Sequence, residues 1–264
     1  MVSSLKKYFI QELSYKNNKS LGFGVYLFNF FLLSILTVFV FYVMFMNISY
    51  DFNWSAVFAY KQKFIDGFVV TIIISFFALI LSFLIGLFFA YGQNSKLILL
   101  RFISRMYIEL IRGTPLLIQI LIFFYVFANA LGFDNRYVVG IGILALFAGA
   151  YISEIIRASI SSVELEQYES SKALGLSDWQ MYRYIIFPQA YKRMLPPLAG
   201  QFASIIKDSS LLSIISVSEF TMNAQEVNAY TYSTLESYIP LAFGYLLLTY
   251  PISYYSTRLE KTNK

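Results

Sequence analysis

A short run of polar side chains within apolar sequence is the first candidate for chemistry in this chain. Lys207, Asp208, Ser209 and Ser210 place an ammonium, a carboxylate and two hydroxyls in succession. The sequence contains no histidine and no cysteine, so Ser-His catalysis and metal sites with histidine or thiolate ligands are excluded. An intramembrane enzyme would instead need a pair of aspartates, and Asp208 is the only aspartate within a predicted membrane span. We therefore expect no catalytic residue, no metal site and no enzymatic activity of the chain itself.

Charged groups within a membrane span need a partner or a water-filled cavity, because placing one at the centre of a span costs about 2.5 to 3.5 kcal/mol. Lys207 and Asp208 are adjacent and point about 100° apart on a helix, so they cannot satisfy each other. Glu154 and Glu109 are candidate partners for Lys207. Two interpretations stay open, a structural or gating network and direct contact with a transported substrate. The candidate residues for the translocation pathway or its gate are Lys207, Asp208, Ser209, Ser210, Gln119 and Glu154.

For two of these residues a structural role is the alternative. Glu154 and Arg157 are three residues apart, which places them on one helix face and allows an ion pair. Gln119 lies in an apolar stretch, where amide side chains often form hydrogen bonds between helices. Both roles stay open for each residue.

The composition predicts that these residues are positioned by membrane helices. The chain has 264 residues, of which 58% are hydrophobic and only 13% charged, whereas soluble domains have roughly 25% charged residues. The first apolar stretch is too long for a signal peptide and long enough to cross a hydrocarbon core of roughly 30 Å. We predict an all-α polytopic membrane protein with six transmembrane helices. The predicted spans are 25–46, 67–96, 115–131, 138–156, 197–217 and 239–257.

A polar segment between the fourth and fifth spans predicts two short helices that meet at Gly175. Glycine readily adopts the left-handed conformation that ends a helix, and Ser177 can cap the next one. Ser177 and Gln180 have the spacing of a capping box. Pro188 disfavours helical geometry in the residue before it, so we expect the second helix to end near Phe187.

The distribution of positive charge predicts the orientation. Of the 20 Lys and Arg residues, only Lys61, Lys63 and Arg136 fall on the outer side of the predicted topology, and sixteen fall on the inner side. This bias follows the positive-inside rule and places both termini and the helix pair in the cytoplasm. The net charge of +5 is thereby explained, and we expect no nucleic-acid partner.

The helix pair resembles the EAA loop of ABC importer permeases. Glu169, Gly175, Ile185 and Pro188 have the spacing of that loop, although Ser170 and Ser171 stand for the alanines and Phe187 for the usual leucine. Further resemblance to permeases for polar amino acids, of the histidine and glutamine type, lies at Gly67 with Thr71 and in the runs 109–117, 151–157, 188–190, 195–197 and 207–211.

The resemblance implies a transmembrane permease subunit of an ATP-driven importer for polar amino acids. Its expected partners are separate ATPase subunits, a second permease subunit that is identical or related, an extracytoplasmic amino-acid-binding protein and membrane lipid. The chain has no nucleotide-binding loop of the G-x-x-x-x-G-K-[ST] type, so we expect no cofactor and assign ATP to the partner subunit. The residues implied in coupling to the ATPase are Glu169, Ala173, Leu174, Gly175, Leu176, Ser177, Ile185 and Pro188.

An ion-coupled secondary transporter of small polar solutes is the alternative function, because it also places charges at mid-membrane. The helix pair argues against it, since a secondary transporter has no ATPase to dock. The amino acid carried, the identity of the binding protein and the choice between a homodimer and a heterodimer stay open.

The same topology predicts the domain organisation in the cytoplasmic (inner) membrane. We expect a cytoplasmic segment (1–24), an extra N-terminal transmembrane helix (25–46), a permease domain (67–257) with a coupling loop (158–195), and a cytoplasmic tail (258–264). The outer loop 217–239 contains three glutamates and no Lys or Arg, so its acidic face is predicted to touch the binding protein or attract a cationic substrate. Plain solvation is the alternative. The three glutamates are Glu219, Glu226 and Glu236.

Overall fold

The computed structural model describes residues 23–46 and 50–262, and every regular element within these ranges is helical. The expected all-α fold is therefore confirmed. The described residues fall into two units, one up to Phe52 and one from Asn53 onward. The helices are α1 Phe23–Met46, α2 Trp54–Phe58, α3 Lys61–Gln93, α4 Ile98–Gly113, α5 Leu116–Ile122, α6 Arg136–Ser161, α7 Leu165–Ala173, α8 Asp178–Met181, α9 Phe187–Asp208, α10 Phe220–Thr231 and α11 Thr234–Thr262.

The first unit consists of α1, whose side chains are suited to lipid on nearly all sides. Its large apolar side chains are exposed, and few polar groups interrupt them. Three polar side chains within the helix donate to the backbone carbonyl four residues earlier, Asn29 to Val25, Ser34 to Phe30 and Thr37 to Leu33. These three donors are satisfied within the helix, which fits the predicted extra transmembrane helix. The predicted cytoplasmic segment before it lies outside the described residues.

The number of membrane spans is only partly set by length and composition. Among the described residues, α1, α3 and α6 are long and apolar enough to cross a membrane, and α4 with α5 would make a fourth if that bent pair is one span. The helices α9 and α11 are also long but more polar. The six-span count therefore stays a prediction.

The core of the second unit lies where α3, α6, α9 and the segment after α9 meet. Ile74 of α3, Leu144 of α6, Ile205 of α9 and Leu212 are fully buried in one hydrophobic cluster. Burying each such side chain contributes about 1.5 to 3 kcal/mol relative to exposure. This packing fixes α9 and its C-terminal end against the two long helices.

Two sequence predictions about α9 were wrong. The second helix of the pair does not end near Phe187, because a wider π-helical turn over Tyr182–Ile186 accommodates Pro188 at the start of α9. The fifth predicted span, 197–217, is also not one continuous α-helix, since α9 begins at Phe187 and ends at Asp208. A 3₁₀ segment, Ser209–Ile215, follows, so Lys207 and Asp208 lie at the end of a helix and not near its middle.

Candidate functional site

The junction between α7 and α8 is built from local capping interactions. Gly175 has a φ of +75°, and its amide donates to the carbonyl of Lys172 at 2.9 Å, while the amide of Leu176 donates to that of Ser171 at 3.2 Å. These two bonds form a Schellman motif that ends α7. The Ser177 hydroxyl and the Gln180 side chain cap each other's backbone amides, so the predicted capping box is confirmed. The angle between the two helices is thus set by this short turn.

One side of the helix pair is held by a small apolar cluster. Val163, Met181, Ile186 and Ala190 are buried together, with Tyr168 of α7 packed against them. Burial against this cluster, reinforced by the neighbouring Tyr182, raises the pKa of the Tyr168 phenol. The cluster joins α8, the π turn and the start of α9 into one packed body.

The other side of the pair exposes large apolar side chains. Leu174 is 78% exposed and Trp179 is 67% exposed, and the Trp179 ring meets that of Tyr184 edge to face at 6.1 Å. Exposed aromatic groups of this kind are typical of protein interfaces. Most of the predicted coupling residues also lie on the exposed surface, and only two are partly buried. Exposed are Glu169, Ala173, Leu174, Gly175, Ser177 and Pro188, and partly buried are Leu176 and Ile185.

Lys207 and Asp208 form a charged pair at the end of α9. Lys207 is exposed and Asp208 is half-buried, and within the part of the chain that the structure describes neither charged group forms a hydrogen bond or ion pair. The next two hydroxyls are occupied, since Ser209 donates to the carbonyl of Ile206 and Ser210 to that of Lys207. The ammonium and the carboxylate are therefore the groups of this run that are available to a ligand.

Glu154 and Gln119 are engaged elsewhere. Glu154 forms a two-bond ion pair with Arg157, one turn away on α6, so the suggested pairing of Glu154 with Lys207 was wrong. Gln119 is buried, and its amide donates to the carbonyls of Ile111 and Thr114 and to the Thr114 hydroxyl. It thereby satisfies the backbone at the break between α4 and α5. The structure places both residues in the structural roles that the sequence had left open.

The glutamates of the predicted outer loop do not form an exposed acidic face. Glu219 and Glu236 are both 0% exposed, and Glu236 accepts a hydrogen bond from the backbone amide of Asn53. Glu226 is paired with Lys63 of α3. The expectation of an acidic docking face was therefore wrong, because all three carboxylates bind groups of this chain.

Sequence reasoning missed the role of Glu219 as a buried organising group. Its carboxylate accepts from the amides of Thr221 and Met222 at the start of α10, and from the Tyr245 hydroxyl of α11 at 2.9 Å. Gly67 of α3 faces this site so closely that a β-carbon would lie 2.8 to 3.0 Å from Asn223, Phe220 and Glu219. The available signal was a carboxylate directly before a helix, which is a favoured N-cap. Gly67 and Thr71, which resemble the polar amino-acid permeases in sequence, both lie at this site. The Thr71 hydroxyl accepts a hydrogen bond from the Phe220 amide at 3.1 Å.

These features occur in a chain whose residues 82–263 match the family described as binding-protein-dependent transport system inner membrane component. The chain belongs to this family. It is therefore a membrane-spanning permease, a transport subunit that does not itself hydrolyse ATP. The helix α1 lies before the matched residues.

Named relatives of this permease are similar over nearly their whole length. The glutamine transport system permease protein GlnP of Escherichia coli (strain K12) is 35% identical over 218 residues, which cover 81% of this chain and 99% of that protein. The L-cystine transport system permease protein TcyB of Bacillus subtilis (strain 168) is 36% identical over 196 residues, covering 74% of this chain and 84% of that protein. A solved structure described as an amino acid ABC transporter with histidines superposes with a TM-score of 0.75 at 33% identity, covering 81% of this chain and 100% of that one.

Proposed function

We propose that this permease carries polar amino acids across the inner membrane in an ABC importer driven by a separate ATPase. The substrate class is supported by the relatives, which are named for glutamine and cystine, and by the similar amino acid transporter structure. The proposed assembly contains two permease subunits, two ATPase subunits and an extracytoplasmic binding protein that delivers the substrate.

The observation that carries the proposal is the form of the helix pair. Its buried cluster makes α8 continuous with α9, while Leu174, Trp179 and Tyr184 are left exposed without a partner in the second unit's core. This surface is suited to a groove on the ATPase, with Glu169 beside it on α7. ATP binding closes the ATPase dimer, the docked pairs move with it, and the pathway alternates between outward and inward access.

The free charges at the end of α9 are the proposed contact for substrate or gate. A free amino acid carries one ammonium and one carboxylate, and Asp208 and Lys207 present the complementary pair. Both groups lie beside the helix end, where the change from α to 3₁₀ geometry alters the backbone direction. Replacement of either residue by a neutral one is expected to reduce uptake while leaving the ATPase bound.

The orientation is part of the proposal, with both termini in the cytoplasm as the charge distribution predicts. A reporter fused after Lys264 tests it. Activity of a reporter that works only outside the cytoplasm would contradict this topology.

The coupling role is tested by a matched pair of glycine variants. Gly175 and Gly132 both have positive φ, +75° and +71°, and a β-carbon at either position meets no atom within 4 Å. Valine at either position therefore costs similar backbone strain, about 1 to 2 kcal/mol. In proteoliposomes with ATP inside, Gly175→Val is expected to lower uptake at least tenfold and to weaken copurification of the ATPase, whereas Gly132→Val retains both.

Two results would contradict the proposal. Normal transport and ATPase binding in Gly175→Val would reduce the helix pair to a connector. Uptake that follows an ion gradient and needs no ATP would instead support the secondary transporter.

A further inference from the structure

The helix α4 has three different faces, and only one of them is buried in the fold. Ser104, Ile108 and Ile111 are buried against the neighbouring helices. A second face is basic, because Arg101, Arg105 and Arg112 follow at spacings of four and seven residues and so share one side of the helix. The third face is apolar and exposed, and its residues include Leu99, Phe102, Ile103, Met106 and Leu110.

Contacts of the buried face show that α4 crosses α3 and α6. Ile85 meets Gly149 and Gln93 binds Ser153, so α3 and α6 run in the same direction. Ser104 of α4 lies against Gly92 of α3, whereas Tyr107, three residues later on α4, stacks on Phe89, three residues earlier on α3. The helix α4 therefore runs opposite to α3. On α6 the order is the reverse, since Tyr107 binds Leu146 and Arg112, later on α4, stacks on Tyr151, later on α6. The helix α4 therefore runs in the same direction as α6. Because α3 and α6 run in the same direction, a helix that runs opposite to α3 but along α6 must lie across both.

The ends of α4 agree with this placement. It follows α3, a span by length and composition, after a short linker of four residues, and it is bent by 110° from the next helical stretch at Thr114 and Pro115. The Gln119 amide fills the hydrogen-bonding gap at that bend. The chain thus leaves one membrane helix, runs across the C-terminal part of α3 and the middle part of α6, and turns sharply.

Charge excludes the hydrocarbon core as the environment of α4. Each charge at the centre of a span costs about 2.5 to 3.5 kcal/mol, and Arg101, Arg105, Glu109 and Arg112 are spread along most of the helix. Bulk water is equally unsuitable for the third face, since Phe102 is 65% and Leu110 is 60% exposed. A helix with a basic side next to an apolar side is suited to the boundary between headgroups and acyl chains.

The basic face retains donors for a ligand. Within the described residues, Arg105 makes no hydrogen bond or ion pair, and Arg112 stacks over the Tyr151 ring at 5.4 Å without a hydrogen bond. Arg101 uses part of its guanidinium on the Ser95 carbonyl. Guanidinium groups bind phosphate oxygens by paired hydrogen bonds, so this face complements an anionic headgroup.

We propose that α4 lies in the membrane interface and binds anionic phospholipid, with Arg105 and Arg112 on the phosphate and the row of Phe102, Met106 and Leu110 among the upper acyl carbons. This inference needs only the membrane location of the permease. It does not depend on the amino acid carried or on the coupling role of the helix pair.

The absence of cysteine from the chain makes a direct test possible. Phe102→Cys is labelled with a fluorophore in the full chain, which is reconstituted into equal parts phosphatidylglycerol and phosphatidylcholine. One lipid at a time carries a nitroxide quencher at acyl carbon 5 or 12. We expect stronger quenching from carbon 5 than from carbon 12, and stronger quenching from phosphatidylglycerol than from phosphatidylcholine.

Charge variants then separate headgroup binding from depth. Arg105→Gln with Arg112→Gln is expected to lower the preference for phosphatidylglycerol about fivefold per arginine, which corresponds to about 1 kcal/mol for each cation near an anionic surface. Lys61→Gln removes a cation at the far end of α3 and serves as the control with no change. Met106→Cys repeats the measurement if Phe102→Cys is not recovered in folded form.

Three results would overturn the proposal. Absence of quenching would mean that protein, such as a second permease subunit, covers this face. Strongest quenching from carbon 12 would place α4 within the hydrocarbon core. Equal quenching by the two lipids, or an unchanged preference in the arginine variant, would mean that the headgroup is not recognised. None of these outcomes bears on uptake or on ATPase binding.

Discussion

The helix pair and the α10 segment, residues 216–233, use polar groups in opposite ways. In the helix pair the polar groups cap helix ends within a few residues of each other, and large apolar side chains are exposed. In the α10 segment the Glu219 carboxylate is fully buried and binds donors from three helices, while Phe220 packs between aromatic rings of α3 and α11.

This difference separates a part that is shaped for a partner from a part that is shaped for its own fold. Local caps hold the helix pair in place without covering its outer surface, which stays available. The α10 segment uses its carboxylates internally, and buried polar groups are costly when their bonds are lost. Damage to the first should therefore affect coupling, whereas damage to the second should affect folding.

The largest expected effect is that of Glu219→Ala. The change leaves the amides of Thr221 and Met222 and the Tyr245 hydroxyl without their acceptor, at about 1 to 3 kcal/mol for each buried donor. The free energy of unfolding is expected to fall by at least about 3 kcal/mol, measured as thermal unfolding in detergent. Glu226→Gln is the matched control, because its partly exposed pair with Lys63 contributes only about 0 to 1 kcal/mol. Equal losses in the two variants would remove the contrast between buried and exposed carboxylates.

A smaller effect on the same segment is expected from Gly67→Ala. The added methyl group would lie within 3.0 Å of backbone atoms of Phe220 and Glu219, which cannot move aside easily, so we expect a loss of about 1 to 3 kcal/mol. Gly142→Ala in α6 meets no atom within 4 Å and should leave stability unchanged or higher, because alanine favours helix. Both variants are measured by thermal unfolding. If Gly67→Ala is as stable as Gly142→Ala, Gly67 does not mark a close helix contact.

The smallest expected effect on the whole protein is that of Ser177→Ala. Loss of this cap costs about 1 kcal/mol and is confined to the start of α8. Hydrogen exchange is expected to speed up at the amides of Asp178 to Met181 and to stay unchanged in α10, with uptake reduced a few-fold. Faster exchange in both regions would mean that the two regions are not independent.

The sequence was a good guide wherever neighbouring residues decide the structure. Gly175, Ser177 and Gln180 predicted the turn and the capping box, because such motifs need only a few adjacent residues. The helices α1, α3 and α6 were found near their observed bounds for a similar reason, since uninterrupted apolar stretches predict spans. Of the candidate site residues, those of the helix pair lie together as expected.

Features that depend on distant residues were not predictable in this way. The acidic loop suggested solvent exposure, but Glu219 is buried because Tyr245 and Thr71, on two other helices, supply its donors. Gln119 was named as a pathway candidate, whereas in the structure its amide binds the carbonyls of Ile111 and Thr114 at the α4–α5 bend. The rule that proline ends a helix failed at Pro188, since a π turn before it relieves the clash.

That π turn has a mechanical consequence. Because it keeps the chain helical through Pro188, residues 178–208 form one helical path of 31 residues, about 46 Å long at 1.5 Å per residue. Trp179 lies near one end of this path, and the free charges of Lys207 and Asp208 lie at the other. Gly175 lies in the capped turn just before this path. In the proposed coupling, a tilt at Trp179 reaches Lys207 and Asp208 through continuous helix, with no intervening loop.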